Sequence, residues 1–289
     1  MMNRWIDKIL YDDAYGIALR RRDAKEEVFY TRYPDAKYWY ADPFVCHANG
    51  KEYVFVEALE YYNGLGRIAV AEVVGNTVGA FRIVIQEDFH LSFPNIFQYD
   101  NIWYMLPETS AAGQMRLYKA TNFPYEWELD TILLDQVKYV DTIFHFLSDT
   151  KAIGLAYDLE IKKAVPILLD MKEKKMSKTE LEGNYSLERP GGAIYEKKGK
   201  RYRVVQDCVR CYGDYLHFLN VQELSFEKMM EEEVFIRRGM EVVFDDGKQK
   251  EYIHTYNTDG VYEVIDFRYR KFYPLKALAR FLWRFHVSQ

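Results

Sequence analysis

Three acidic side chains stand near the openings of repeated segments: Asp42 in ADPF, Asp141 in VDTIF and Glu188 in ERPGG. Carboxylates gathered from separate segments are the equipment for acid and base chemistry on a glycosidic bond. One serves as base or nucleophile, and a second, held protonated, donates to the leaving oxygen. Around them stand groups suited to holding a ligand. Arg189 offers a planar fork for a phosphate or carboxylate. His90, Gln206 and His254 supply ring and amide hydrogen-bonding groups, and Glu108 and Tyr212 complete the candidate binding set. Each has a plainer reading. Asp42 and Asp141 suit turn caps at strand starts, while Glu57 and Glu108 suit partners for Arg67 and Arg116 on adjacent strands. Lone histidines such as His90 and His254 are commonly hydrogen-bonded in cores, and Tyr212-Gly213 suits a loop.

Residues so far apart in the chain meet only if the elements carrying them repeat. ADPFVCHANGKEYVFVE, residues 41–57, has an echo in SFPNIFQYDNIWYMLPE, residues 92–108: Pro43 falls on Pro94, Tyr53 on Tyr104 and Glu57 on Glu108. Further copies open at Val140, at Glu188 and, more weakly, at Glu251, with turn signals at Asn49-Gly50, Asp100-Asn101, Ser148-Asp149, Lys198-Gly199 and Asp259-Gly260. Each copy reads as a hairpin of β-branched and aromatic residues. A period of roughly 50 residues with about four short strands per unit is the signature of a propeller blade. The expected fold is therefore an all-β, five-bladed propeller over residues 1–271, with 14–23 closing the ring by adding a strand to the last blade. A β-sandwich with a coincidental echo is the competing architecture. In a propeller the first strand of every blade lines one channel, so the repeated polar positions converge on a common funnel.

Composition narrows the function classes. The chain has 289 residues, 17% aromatic with 25 tyrosines, which suits β-structure and surfaces that stack on sugar rings. A net charge of -5 argues against nucleic acid as a partner. Cys46, Cys208 and Cys211 do not make a disulfide framework. The Cys208 and Cys211 pair is half a zinc site with no second pair, so neither metal nor cofactor is expected. The start, MMNRWIDKILYDD, lacks the apolar run of a signal peptide, which points to a cytoplasmic location.

Two family resemblances sharpen this. HLSFPNIFQYDNIWYMLPETSAAGQMRLYKATNFPYEW, then RPGGAIYEKKGKRYRVVQDCVRCYG, then IHTYN followed by YEVID, resembles the N-terminal propeller of plant glucosamine inositolphosphorylceramide transferases. This covers nearly the whole chain, and its motif centres on Arg189-Pro190. It implies a role in surface-glycan or glycolipid biosynthesis. In the plant proteins a separate glycosyltransferase domain is present, so the resemblance also implies a partner glycosyltransferase. More distantly, ADPF, the Asp of VDTIF and ERP resemble five-bladed family 43 glycoside hydrolases, which implies Asp42 as base, Asp141 as orienting group and Glu188 as acid. The expected ligand is a sugar, a sugar nucleotide or a lipid-linked glycan, activated or anionic because of Arg189, in chemistry of the glycosyl-transfer type. Hydrolysis of the family 43 kind and noncatalytic glycan binding through Tyr and Trp are the alternatives.

The tail differs from everything before it. In residues 272–289, Leu275, Leu278, Leu282 and Phe285 make an apolar stripe, with Lys276, Arg280 and Arg284 at four-residue spacing, and a basic amphipathic helix is expected. Such a helix suits either an anionic membrane surface, making the protein peripheral at the inner face, or packing against the propeller.

Overall fold

The computed structural model describes residues 11–272. Apart from Phe272, which ends the last strand, the basic segment expected to be helical lies outside the described residues.

Five sheets make five blades, in place of the two packed sheets of a sandwich. The first blade comprises Tyr38–Ala48, Lys51–Glu60, Gly66–Val74 and Thr77–Val78, with Arg82–Ile85 also paired to its third strand. The second is Ser92–Tyr99, Ile102–Glu108, Gln114–Asn122 and Glu126–Asp135; the third is Tyr139–Phe146, Lys151–Asp158, Lys163–Asp170 and Lys175–Lys178. The fourth is Tyr195–Lys197, Lys200–Asp207, Tyr215–Leu224 and Met229–Arg238. The closing blade joins both ends of the described chain, in the order Tyr256–Thr258, Tyr262–Phe272, Tyr11–Arg21, Val28–Arg32 and Val243–Phe244. Neighbouring strands run antiparallel except the last two named, which are parallel. The Tyr11–Arg21 strand pairs with the last strand from Tyr11 opposite Phe272 to Arg21 opposite Tyr262. The expected closure is thus present, and it already runs at Tyr11, the first described residue.

The hairpin turns follow the local chemistry. Asn49-Gly50, Asp100-Asn101 and Lys198-Gly199 all take positive φ at both positions, as a tight turn matched to strand twist requires. Successive side chains along a strand point to opposite faces, so each blade packs on both of its neighbours. Ile17, Val54, Val56 and Val264 pack between the closing and first blades, and Phe55, Ile68, Met105 and Tyr118 between the first and second. Leu106, Leu117, Phe144 and Ile167 fill the seam between second and third, and Ile143, Leu155, Val221 and Met229 that between third and fourth. Val204, Phe218, Tyr256 and Phe267 join the fourth to the closing blade.

The innermost strands are not regular. In each of the first three blades the pairing register slips, between Ala41 and Phe44, between Ser92 and Asn95, and between Val140 and Ile143. Asp42, Phe93 and Asp141 sit in these bulges with φ of 49°, 45° and 49°. A bulge re-aims the side chain it contains. Asp42 and Asp141 therefore lie within strands rather than capping turns. In the fourth blade the corresponding stretch is held by isolated bonds, Gln206 N–H to Arg189 C=O at 2.8 Å and Gly191 N–H to Val204 C=O at 2.9 Å. Gly192 at φ 152° lets this segment press on the closing blade, where a Cβ would stand 1.9 Å from the Tyr256 carbonyl oxygen.

Candidate active site

The bulges bring Asp42 and Asp141 to a polar cluster shared by all five blades. Asp42, 5% exposed, accepts the Phe93 N–H on Oδ2 at 3.2 Å, and its Oδ1 lies 3.1 Å from His254 Nε2. His254 Nδ1 lies 3.0 Å from Oδ2 of Asp266. Asp266 is fully buried and already well supplied with donors: the N–H groups of His254 and Thr255 on Oδ1, and the Thr255 hydroxyl and Asp42 N–H on Oδ2. Burial works against a charge on His254, yet the Asp266 and Asp42 carboxylates hold its pKa well above the usual histidine value. Burial would raise Asp266 as well, but His254 and the hydrogen bonds prevail and lower it. Asp42 is raised, by burial first, with His254 opposing. These directions favour the charged His254 ring, with Asp266 as its principal counter-ion.

On the other side, Arg189 donates from Nε to Asp141 Oδ2, and Gln206 Nε2 reaches the same oxygen at 3.0 Å and the Pro190 carbonyl at 2.7 Å. Burial disfavours the Arg189 charge, but Asp141 outweighs it and holds the guanidinium well above the ordinary arginine value. Among the described residues the two terminal nitrogens of Arg189 make no hydrogen bond, and 21% of its side chain is exposed. The guanidinium carbon stands 5.0 Å from the Tyr212 ring centroid and 6.0 Å from that of Tyr157. Tyr212 also meets the His254 ring, centroids 5.1 Å apart.

Of the residues singled out from sequence, Asp42, Asp141, Arg189, Gln206, Tyr212 and His254 belong to this network. His90 reaches it through Glu57, its Nε2 being 3.4 Å from Glu57 Oε1. Glu108 accepts from the Ser92 hydroxyl, the Ser110 N–H and the Ser110 hydroxyl. Glu188 makes no side-chain hydrogen bond or ion pair with this network among the described residues, although its charge acts on Tyr157, the ring beside Arg189. Glu188 is exposed and lines a groove with His217, Glu231 and Glu233. The expected pairing of Glu57 with Arg67 and of Glu108 with Arg116 does not form. Arg67 lies opposite Ala58, so by alternation it shares a face with Glu60, to which it donates, and Glu57 faces the other way. Arg116 turns instead to Gln114 and Glu87.

Asp266 was missed, although a signal existed: it closes the hairpin YIHTYNTDGVYEVID as Glu57 and Glu108 close theirs. Asn95 and Asn257 carried no such signal; they bond the Thr142 and Pro43 carbonyls of neighbouring blades, each at 2.9 Å. Asp42, His254 and Asp266 each bring one possible ligand atom within 4.8 Å of the others. Because N–H and O–H donors already occupy the Asp266 oxygens and one Asp42 oxygen, the set reads as an ion-paired clasp rather than an open coordination site. All three cysteines are free thiols. Among the described residues no helix is long and apolar enough to cross a membrane.

Residues 30–250 match the family described as glucosamine inositolphosphorylceramide transferase 1, N-terminal. The protein of that name from Arabidopsis thaliana is 33% identical over 206 residues, covering 67% of this chain and 27% of its own length. The chain thus spans under a third of the length of the curated relatives it matches. Among solved structures, an α-L-arabinofuranosidase from Podospora anserina in complex with cellotriose superposes with a TM-score of 0.59 at 10% identity, covering 90% of this chain and 96% of that one. A family 43 β-1,3-galactosidase with galactodeoxynojirimycin gives 0.50 at 10% identity, covering 74% and 81%. At such identities these two likenesses concern the fold.

Proposed function

Since the chain belongs to the family of the glucosamine inositolphosphorylceramide transferase 1 N-terminal domain, we propose that its funnel binds a sugar bearing a negative group, as a sugar nucleotide or acidic glycan, in glycosyl-transfer chemistry of surface-glycan or glycolipid synthesis. The observation that carries this reading is Arg189. Its Nε is committed to Asp141, while both terminal nitrogens lack a partner among the described residues. A guanidinium so anchored keeps an edge for a phosphate or carboxylate, and Tyr212 and Tyr157 flank it with rings suited to a sugar face. Asp42 and Asp141 supply acceptors for hydroxyl groups. A cytoplasmic setting, a partner glycosyltransferase, and a membrane surface reached through residues 272–289 belong to the same proposal.

The test is calorimetric titration with glucose, glucuronate and UDP-glucose. Wild-type protein binds the two charged ligands in preference to glucose, and Arg189→Ala loses about tenfold or more in affinity for them, the worth of one charge-assisted hydrogen bond. Arg189→Lys, which keeps charge but loses the fork, falls between. Equal affinity for charged and neutral sugars in wild type and variants rejects the reading and favours a neutral-glycan site.

A further inference from the structure

The repeat places four polar residues at the same point of four hairpins, and three have their hydrogen-bonding capacity filled. Glu108 has its serine donors, Gln206 bridges Asp141 and the Pro190 carbonyl, and Asp266 has its four donors. Glu57 differs. It is 5% exposed, and among the described residues its carboxyl has no polar partner beyond the His90 ring, whose Nε2 stands 3.4 Å from Oε1. A carboxyl so sparsely supplied by the protein keeps hydrogen-bonding capacity for a ligand.

The surroundings of Glu57 are built rather than incidental. Gly66 leaves the space that Glu57 and His90 occupy: a Cβ there would lie 2.9 Å from Glu57 Oε1, 2.8 Å from His90 Cε1 and 2.2 Å from the Leu91 carbonyl oxygen. The Gly66 N–H donates to His90 Nδ1 at 3.0 Å, which puts the proton of the neutral ring on Nε2, facing Glu57 at 3.4 Å. The charges that act on Glu57 are those of Asp42 on its own blade, Glu108 on the second, Asp141 on the third and His254 beside the closing blade, and the His90 ring lies against it. Three of these are carboxylates, which disfavours a fourth negative charge. Burial first, and Asp42 next, hold the Glu57 carboxyl well above the usual carboxylate range.

We propose that Glu57 contacts the bound ligand, donating a hydrogen bond from its carboxyl to a sugar or phosphate oxygen in the funnel. This rests on the reading of the funnel as a site for charged sugars. A neutral acid donates where a carboxylate would repel, so affinity for an anionic ligand depends on the proton Glu57 carries. Loss of that proton converts the donor into a fourth carboxylate.

UDP-glucose is the suitable probe, because its diphosphate lacks the monoester ionisation near pH 6 that would confuse the profile. Its affinity for wild-type protein falls about tenfold for each pH unit above the Glu57 pKa. Glu57→Gln, which keeps a donor and cannot ionise, binds like wild type in acid and falls less steeply, only His254 in the cluster still losing its charge. His90→Gln, which removes the imidazole that lies against Glu57, retains the fall. The carboxyl carbon NMR signal that disappears in Glu57→Gln reports the protonation state without any ligand, and must be that of a neutral acid where binding is tight. An ionised signal there, or an unchanged pH profile in Glu57→Gln, overturns the role of Glu57 while leaving the funnel reading in place. Wild-type protein that binds neither UDP-glucose nor glucuronate overturns both.

Discussion

Among the individual side chains, Asp266 arranges the cluster more than any group that faces the funnel. His254 carries a charge in a place where burial alone would remove it, and Asp266 is the counter-ion that permits this. Asp266→Asn removes that compensation and turns an amide N–H toward donors. The expected cost is about 3–5 kcal/mol, the usual effect of leaving one member of a buried pair unpaired, measured by urea unfolding near neutral pH. Because the His254 pKa is raised in the folded state, its contribution is complete below the unfolded histidine value of 6.5 and is lost as pH rises through the folded value. Because that of Asp266 is lowered, its contribution is present above the unfolded value of 3.8 and is lost as pH falls through the folded one. The difference between wild type and variant therefore narrows at both extremes of pH. Sequence made Asp42, Asp141, Arg189 and His254 visible as candidates because their types are reactive and their positions repeat. It chose Glu108 over Glu57 for the binding set, because the difference between them lies in Ser92 and Ser110, which supply donors to Glu108 and have no counterpart at Glu57.

In the strands and their connections, hairpins were legible and bulges were not. A turn announces itself by Asn, Asp or Gly in adjacent positions, whereas the bulges holding Asp42, Phe93 and Asp141 share only their place in the repeat, and a phenylalanine at φ 45° has no local preference for it. Their cause is tertiary: the carboxylate of Asp42 bonds the Phe93 N–H, and that of Asp141 meets Arg189. The turns, being governed locally, respond to local chemistry. Lys198 occupies a left-handed position at φ 50° where the first blade has Asn49 at φ 52°. Asn adopts this conformation more readily than Lys. Lys198→Asn is expected to stabilise the protein by about 0.5–1 kcal/mol, seen as a higher urea midpoint with an unchanged slope. A lower midpoint would mean that the lysine side chain contributes more than its backbone preference costs.

Across the ring of blades, the funnel residues also act as fasteners, so site and fold cannot be separated. His254 and Asn257 tie the closing blade to the first, Asp42 ties the first to the second, Asn95 the second to the third, and Asp141 the third to the fourth. The Gly191 carbonyl, accepting the Tyr256 N–H at 2.8 Å, completes the circuit between fourth and closing blades. Such a circuit has meaning only if the outer sheet is closed as well, and that closure is made by one strand. Tyr11–Arg21 lies between Tyr262–Phe272 and Val28–Arg32, and its Ala14, Ile17, Ala18 and Leu19 are fully buried. Without it the last strand would present its unpaired edge to solvent, and the apolar seam with the first blade would open. Ala18→Pro removes an N–H in the middle of this central strand and forces the ring into a tightly packed position. Loss of cooperative unfolding is expected, with hydrogen exchange accelerated at the funnel residues of the first and fourth blades as well as in the closing blade. A variant in which fast exchange stays within Tyr11–Arg21 would show that the other blades hold the funnel unaided. In that case the circuit of polar bonds at the axis, rather than strand closure at the rim, would be what keeps Asp42 and Arg189 in one site.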